Sequence, residues 1–450
     1  MFMGAPFFAG GVFAGPADFL HAAPTGAIGW IDFQNDTYRI NGVDYAVTDI
    51  FGGTFDASQI TTAGMAVTDT NIPILAGALE SQFIDGLTNG MTVVVSFDTA
   101  TIQDAAFLTV YSGASSSASS DYLQTWWSGG NGVETDLYDD ASLGVSDYEN
   151  WDGKAYDAND FDLNVVGMTF AKDAGGGNYE YALCLNGGKI ETQTVAYNPS
   201  VGGAVTAVDF LHADADSILY GTIRNIAIYP ALVDADLVTA TKSGFPHLIA
   251  RHLAPLSVPT ATTHTIAFET SDPGPIADGE MLVVLLSSAG NPTFSIDPSS
   301  GAGWTIGDQV ASGTQFSAAW VWKIADGDDG LVVATTSSVQ VEYISFRVAY
   351  ASGIEGAHNS GVSADLPAAP TLAPAGGAAK YLWLLSEHSN ASYYSDVPPA
   401  GTYHRIFQQG GGSGASLSTA HRCLEAASYS PGTWSAPSTN WICFTLAIKP

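Results

Sequence analysis

Short segments rich in Val, Ile, Thr, Tyr, Phe and Trp recur through the chain, some as apolar runs and some alternating with polar residues, and are closed by Gly, Asn, Asp and Ser. That is the rhythm of half-buried strands, not of helices. Residues 91–97 and 107–111 read as buried strands. Residues 122–127 and 133–138 flank Gly129-Gly130-Asn131-Gly132 and predict a hairpin. Residues 165–171 and 179–185 flank a second Gly-rich turn at 174–177, and Asn186-Gly187-Gly188 turns the chain again. Residues 221–229 alternate at period two before Pro230 and a short helical stretch through Asp236 and Leu237.

The rhythm lapses between 246 and 262, where Pro246, Pro255 and Pro259 interrupt it. This stretch is expected to be a linker, with a helical turn at 247–253 carrying His247 and His252 as polar residues. Strand-like segments resume at 264–268 and continue through the apolar run 280–286 and then 318–324, 339–350, 381–385 and 441–448. The expected organisation is therefore an N-terminal segment (1–24), a sandwich domain (25–245), the linker, and a second sandwich domain (263–450). A chain of 450 residues exceeds one hydrophobic core. No repeat of fixed period is visible, which argues against a propeller or β-helix.

Composition agrees with an all-β fold of two tandem antiparallel β-sandwiches, jelly-roll-like, behind an N-terminal docking segment. Charged residues are only 13% of the chain and Gly numbers 49, which is poor helix vocabulary. Thirteen basic against 45 acidic residues leave a formal charge of -32. Such a surface repels nucleic acid and anionic membranes and attracts divalent cations. No apolar run is long enough to span a bilayer. Residues 1–24 are apolar and Gly-rich but lack a basic start and are broken by Pro6 and Pro16. They are expected to dock on a partner protein or a symmetry mate. Of the three cysteines, Cys423 and Cys443 either pair or, the plainer reading, stay buried as free thiols like Cys184.

Candidate chemistry concentrates in the first domain. Trp126, Trp127, Tyr148 and Trp151 supply faces on which sugar rings stack, and Asp152 supplies directional hydrogen bonds to hydroxyls. These five are the candidate glycan site, although adjacent Trp126 and Trp127 must fall on opposite faces of a strand. Asp139, Asp140 and Asp147 lie in an acidic stretch able to offer the oxygens that Ca2+ takes; a solvated loop is the plainer account. Glu134, Asp136 and Asp139 resemble the acidic strand of sandwich glycanases, with Asp where that family has Glu. The plain account is a hairpin strand with Val133, Thr135 and Leu137 toward the core. Tyr393, Tyr394, Tyr403 and His404 make a second surface on expected loops. No zinc, phosphate-binding or nucleophile-elbow motif is present. The expectation is a chain without catalytic residues.

Two resemblances sharpen this. The segments Tyr181-Ala182-Leu183-Cys184-Leu185-Asn186-Gly187-Gly188 and 221–237 resemble the late strands of laminin-G-like, concanavalin-A-like sandwiches, a fold that implies glycan or protein binding. The second domain carries in order "ADGEMLVVLL", "GWT", "WVWKIADGDDG" and "FTLAIKP". This succession resembles a β-sandwich domain of bacteriophage tail and fibre proteins. It implies a virion protein on the particle surface, a homotrimer, and host attachment through a surface glycan. A purely architectural decoration or baseplate protein and a polysaccharide depolymerase are the alternatives.

Overall fold

A computed structural model of the chain describes residues 25–52, 55–68, 74–99, 105–112, 121–128, 132–138, 149–151, 164–185, 187, 190–195, 205–210, 212–213, 217–218, 221–232, 234–242, 244–253, 260–271, 274–361, 366–389, 397–400, 402–409, 415–435 and 440–450. Antiparallel strands dominate, with few helices, so the chain is all-β. It divides into two compact units that meet in sequence at Gly244 and Phe245.

The principal strands of the first unit are, in chain order, β1 (Gly29–Asp32), β2 (Thr37–Ile40), β3 (Met91–Thr99), β4 (Ala105–Ser112), β5 (Asp121–Ser128), β6 (Gly132–Tyr138), β7 (Glu149–Trp151), β8 (Asn164–Gly175), β9 (Asn178–Leu185), β10 (Ile190–Val195), β11 (Val205–Phe210) and β12 (Gly221–Pro230). The larger sheet runs β10-β9-β8-β3-β12-β1-β2 and the smaller β7-β6-β5-β4-β11. Central β3 carries apolar residues at adjacent positions, Val93, Val94 and Val95, because both its faces are covered. Val94 packs with Trp30, Val165, Ala227 and Tyr229 on one side, and Val93, Val95 and Phe97 are fully buried on the other. The short helix α2 (Asp234–Ala240), expected from the sequence, lies on the Val94 side. It approaches so closely that a Cβ at Gly167 would sit 2.8 Å from Leu237. The longer α1 (Gly77–Asn89) buries Leu79, Phe83 and Leu87 on one stripe and stops at Gly90, whose φ of 85° suits glycine.

The second unit contains β13 (His247–Leu253), β14 (Ala261–Ile266), β15 (Met281–Ala289), β16 (Phe294–Ile296), β17 (Thr305–Ser312), β18 (Phe316–Ile324), β19 (Leu331–Val339), β20 (Glu342–Ala349), β21 (Gly353–Gly361), β22 (Ala379–Ser389), β23 (Tyr403–Gln409), β24 (Ser416–Ala426) and β25 (Trp441–Lys449). The stretch expected to be a linker with a helical turn instead carries β13, which pairs with β20 at a sheet edge. Pro246 falls just outside the strand and so removes no ladder bond, and Pro255 lies outside the described residues. His247 is a buried strand residue and not a linker side chain.

This unit is an internal duplication that reading for a fixed period missed. One five-stranded sheet runs β13-β20-β15-β18-β17 and another β21-β25-β22-β24-β23, the same order in chain sequence repeated about 100 residues later. The two pack through equivalent faces. Val283 and Leu285 meet the same core as Leu382 and Leu384, and Ile344, Phe346 and Val348 the same core as Phe444, Leu446 and Ile448. The outer faces are covered separately. Ile266, Phe294, Leu331 and Val333 of a three-stranded sheet cover Val284 and Leu286. Leu372, Tyr429 and Trp434 cover Trp383 and Leu385. Trp320 reaches from the first sheet into a slot of glycines: a Cβ would meet its ring at 2.0 Å from Gly307 and at 2.8 Å from Gly356.

Candidate functional site

The smaller sheet of the first unit sorts its residues by register. Directly paired residues of antiparallel strands share a face, and neighbours along a strand alternate. Tyr122 pairs with Tyr138, Gln124 with Asp136, and Trp126 with Glu134; Asp136 in turn pairs with Asn150. Tyr111 pairs with Tyr122, and Asp209 lies in the row of Gln124 through Thr109. One face thus gathers Tyr111, Tyr122, Gln124, Trp126, Glu134, Asp136, Tyr138, Asn150 and Asp209. The other gathers Leu108, Val110, Leu123, Val133, Leu137, Val208 and Phe210. Thr135 pairs with both Thr125 and Trp151, which puts Trp127 and Trp151 on this apolar face. Strand β6 of this sheet lies beside β9 of the larger one.

The predicted tryptophans therefore do not form one group. Trp126 belongs to the polar, aromatic face and Trp127 and Trp151 to the opposite one. Tyr148, Asp152, Asp139, Asp140 and Asp147 lie outside the described residues, as do residues 1–24. Among the described residues no group of His, Cys, Asp and Glu has a metal-holding arrangement. Glu134 and Asp136 share a face, and Asp139, the third acid of the glycanase-like pattern, is again outside. Sequence reasoning missed Tyr122, Gln124, Tyr138 and Asn150. Their signal was present as alternation: in 122–126 every second residue is Tyr, Gln or Trp, with Leu and Thr between.

The second unit holds polar groups inside its sandwich. The side chain of Arg347 is 1% exposed and all five of its N–H groups are bonded. It donates to both oxygens of Glu280 at 2.8 Å and to the carbonyls of Glu269, Gly274 and Pro275 at 2.7–2.9 Å. Lys323, equally buried, pairs with Asp326 at 2.6 Å and Asp329 at 3.2 Å and donates to the Asp328 carbonyl. The "ADGE" turn therefore holds the buried cation of a neighbouring strand, and in "WKIADGDD" the turn folds back on the buried lysine of its own preceding strand. His388, wholly buried beside Phe444, shares a 2.9 Å hydrogen bond with Ser386, and burial pushes its imidazole down to about 3. Seated in packed core, these groups serve the fold.

Tyr403 and His404 open β23 and are not loop residues, while Tyr393 and Tyr394 lie outside the described residues. All three cysteines are buried and none is in a disulfide. Cys423 and Cys443 stand on strands separated by β22 and belong to cores on opposite faces of their sheet, which no disulfide bridges. Burial lifts the Cys184 thiol to about 11, beside the Thr241 hydroxyl at 3.2 Å, so it is inert at neutral pH.

No protein-family model and no curated protein matches the chain. Solved structures do. A carbohydrate-binding module of a Ruminococcus gnavus sialidase, bound to α2,3-sialyllactose, aligns over 34% of this chain and 82% of its own at 20% identity, with a TM-score of 0.25. The NanB sialidase of Streptococcus pneumoniae aligns over 85% of this chain and 63% of its own at 10% identity, TM-score 0.34. Tailspike protein 2 of the Escherichia coli O157:H7 bacteriophage CAB120 aligns over 40% and 24% at 16% identity, TM-score 0.26. At these scores the likenesses carry no argument about ligand or reaction. The expectation of a chain without catalytic residues is withdrawn: sialidases are among the similar structures, and no activity is assigned to this chain from them.

Proposed function

We propose that this chain is a glycan-binding attachment protein of a bacteriophage particle, with the polar face of the smaller sheet in the first unit as its recognition surface. One observation carries the reading: a single register places Tyr122, Trp126 and Tyr138 beside Gln124, Glu134, Asp136 and Asn150. Aromatic rings stack on the C–H faces of sugars, and amides and carboxylates hold hydroxyls in fixed directions. A single open face buries little area, so each site binds weakly, and a trimer of copies on a particle compensates by avidity. The virion setting rests on the tail-fibre-like order of strings in the second unit, and residues 1–24 are the part proposed to hold the particle.

Two substitutions separate recognition from packing. Trp126→Ala should abolish binding to host cells or immobilised host polysaccharide and leave the melting temperature within a degree or two. Trp151→Ala, on the apolar face, should cost about 3–5 kcal/mol of stability. The reverse pattern would move the site to the other face. Glu134 and Asp136 on the same face also support a second reading, cleavage of the bound polysaccharide. Release of reducing ends by the full chain, lost in Glu134→Gln, would establish it.

A further inference from the structure

We infer that the recognition face selects uncharged glycans and discriminates against sialylated and uronic-acid sugars; this rests on the glycan-binding reading above. The five strands of the sheet contain Asp121, Glu134, Asp136, Glu149 and Asp209, and no Lys, Arg or His. Three of those acids, Glu134, Asp136 and Asp209, share the face of Trp126. The surrounding sequence offers no compensation, since Lys154 is the only Lys or Arg between Arg39 and Lys172.

A sugar carboxylate needs a guanidinium, an ammonium or a row of N–H donors to replace its water. Here it would meet like charges inside a field set by a chain of formal charge -32. A neutral sugar asks for something else: acceptors for its hydroxyl hydrogens and flat apolar surface. Carboxylates and Gln or Asn carbonyls accept hydroxyl protons well, and Tyr and Trp supply the surface. Discrimination thus comes from a repulsive element as much as from an attractive one.

The test uses the full chain on an array of glycan pairs that differ only by a terminal sialic or uronic acid, read at low and high salt, with calcium and with a chelator. Neutral members should bind and their acidic partners should bind about tenfold less or worse, because like charges a few ångströms apart repel even in water. The gap should narrow at high salt. Trp126→Ala should lose neutral binding, and Gln124→Ala serves as the second variant if Trp126→Ala fails to fold. Glu134→Gln with Asp136→Asn should raise acidic-glycan binding relative to neutral. Acidic members bound as well as or better than neutral ones, in chelator or only with calcium, would overturn the selectivity and leave the glycan-binding reading standing. Binding of neither class would overturn both.

Discussion

His388 shows how one residue can be tolerated by a core and still tax it. Its ring is wholly buried against Phe444 and Ser386, and burial holds its folded pKa at about 3, below the 6.5 of a free imidazole. Below pH 6.5 the unfolded chain takes up a proton there that the folded chain refuses. Stability is therefore complete above that pH and falls as pH drops from 6.5 to about 3, by up to about 1.4 kcal/mol per pH unit. The carboxylates contribute their own acid slope, so the comparison must be internal. His388→Gln keeps a polar group for Ser386 and removes the titration. Calorimetric melts between pH 7 and 4 should fall more steeply for the native chain than for this variant; parallel slopes would show that His388 carries no linkage. Nothing in the residue's own neighbourhood of sequence announced this, because a histidine after Ser-Glu at a strand end reads equally well as a surface residue. Its burial is decided by a second sheet packed on that face.

At the scale of elements, Arg347 ties β20 to β15 and to the turn before it. The five bonded N–H groups make the guanidinium irreplaceable by a compact ammonium, which has three donors and no planar fork. Arg347→Lys should cost about 3–5 kcal/mol in urea unfolding, the usual penalty for leaving a buried partner such as Glu280 poorly matched. Arg347→Leu combined with Glu280→Leu should recover part of that loss, since both desolvated charges then disappear. An unchanged midpoint for Arg347→Lys would mean that solvent reaches the pair. The strands themselves were legible from alternation: the hairpin of β5 and β6, the turn from β8 to β9, and the closing β12 with its helix all fall where the pattern put them. Partnerships across 67 residues, as between Glu280 and Arg347, were not legible, because pairing depends on which strands become neighbours. The same limit divided the tryptophans. Adjacent Trp126 and Trp127 had to part, but only the pairing of Thr135 with Trp151 decides which of them Trp151 accompanies.

At the scale of the whole molecule, the duplication in the second unit stayed hidden because its copies share a pattern of faces more than residues. Val283 corresponds to Leu382, Phe316 to Leu417 and Ile344 to Leu446, all in one core. Cores accept such exchanges when volume and patterning are kept. A sandwich that closes on its own second copy buries its main sheets internally and leaves assembly to other parts of the chain. Residues 1–24 are the strongest such part in composition: apolar, Gly-rich and nearly uncharged in a molecule of formal charge -32. Mutual repulsion keeps such chains apart in solution unless a specific apolar contact overrides it. Removal of residues 1–24 should leave both units melting as in the full chain, since the described core residues all follow it, from Trp30 on, while incorporation into particles is lost. Native mass measurement of the intact protein should give a trimer, the closed symmetry expected for arrayed weak sites. A full-length monomer would refute the trimer, and a truncated chain that still loads normally onto particles would transfer the anchoring role to one of the sandwich units.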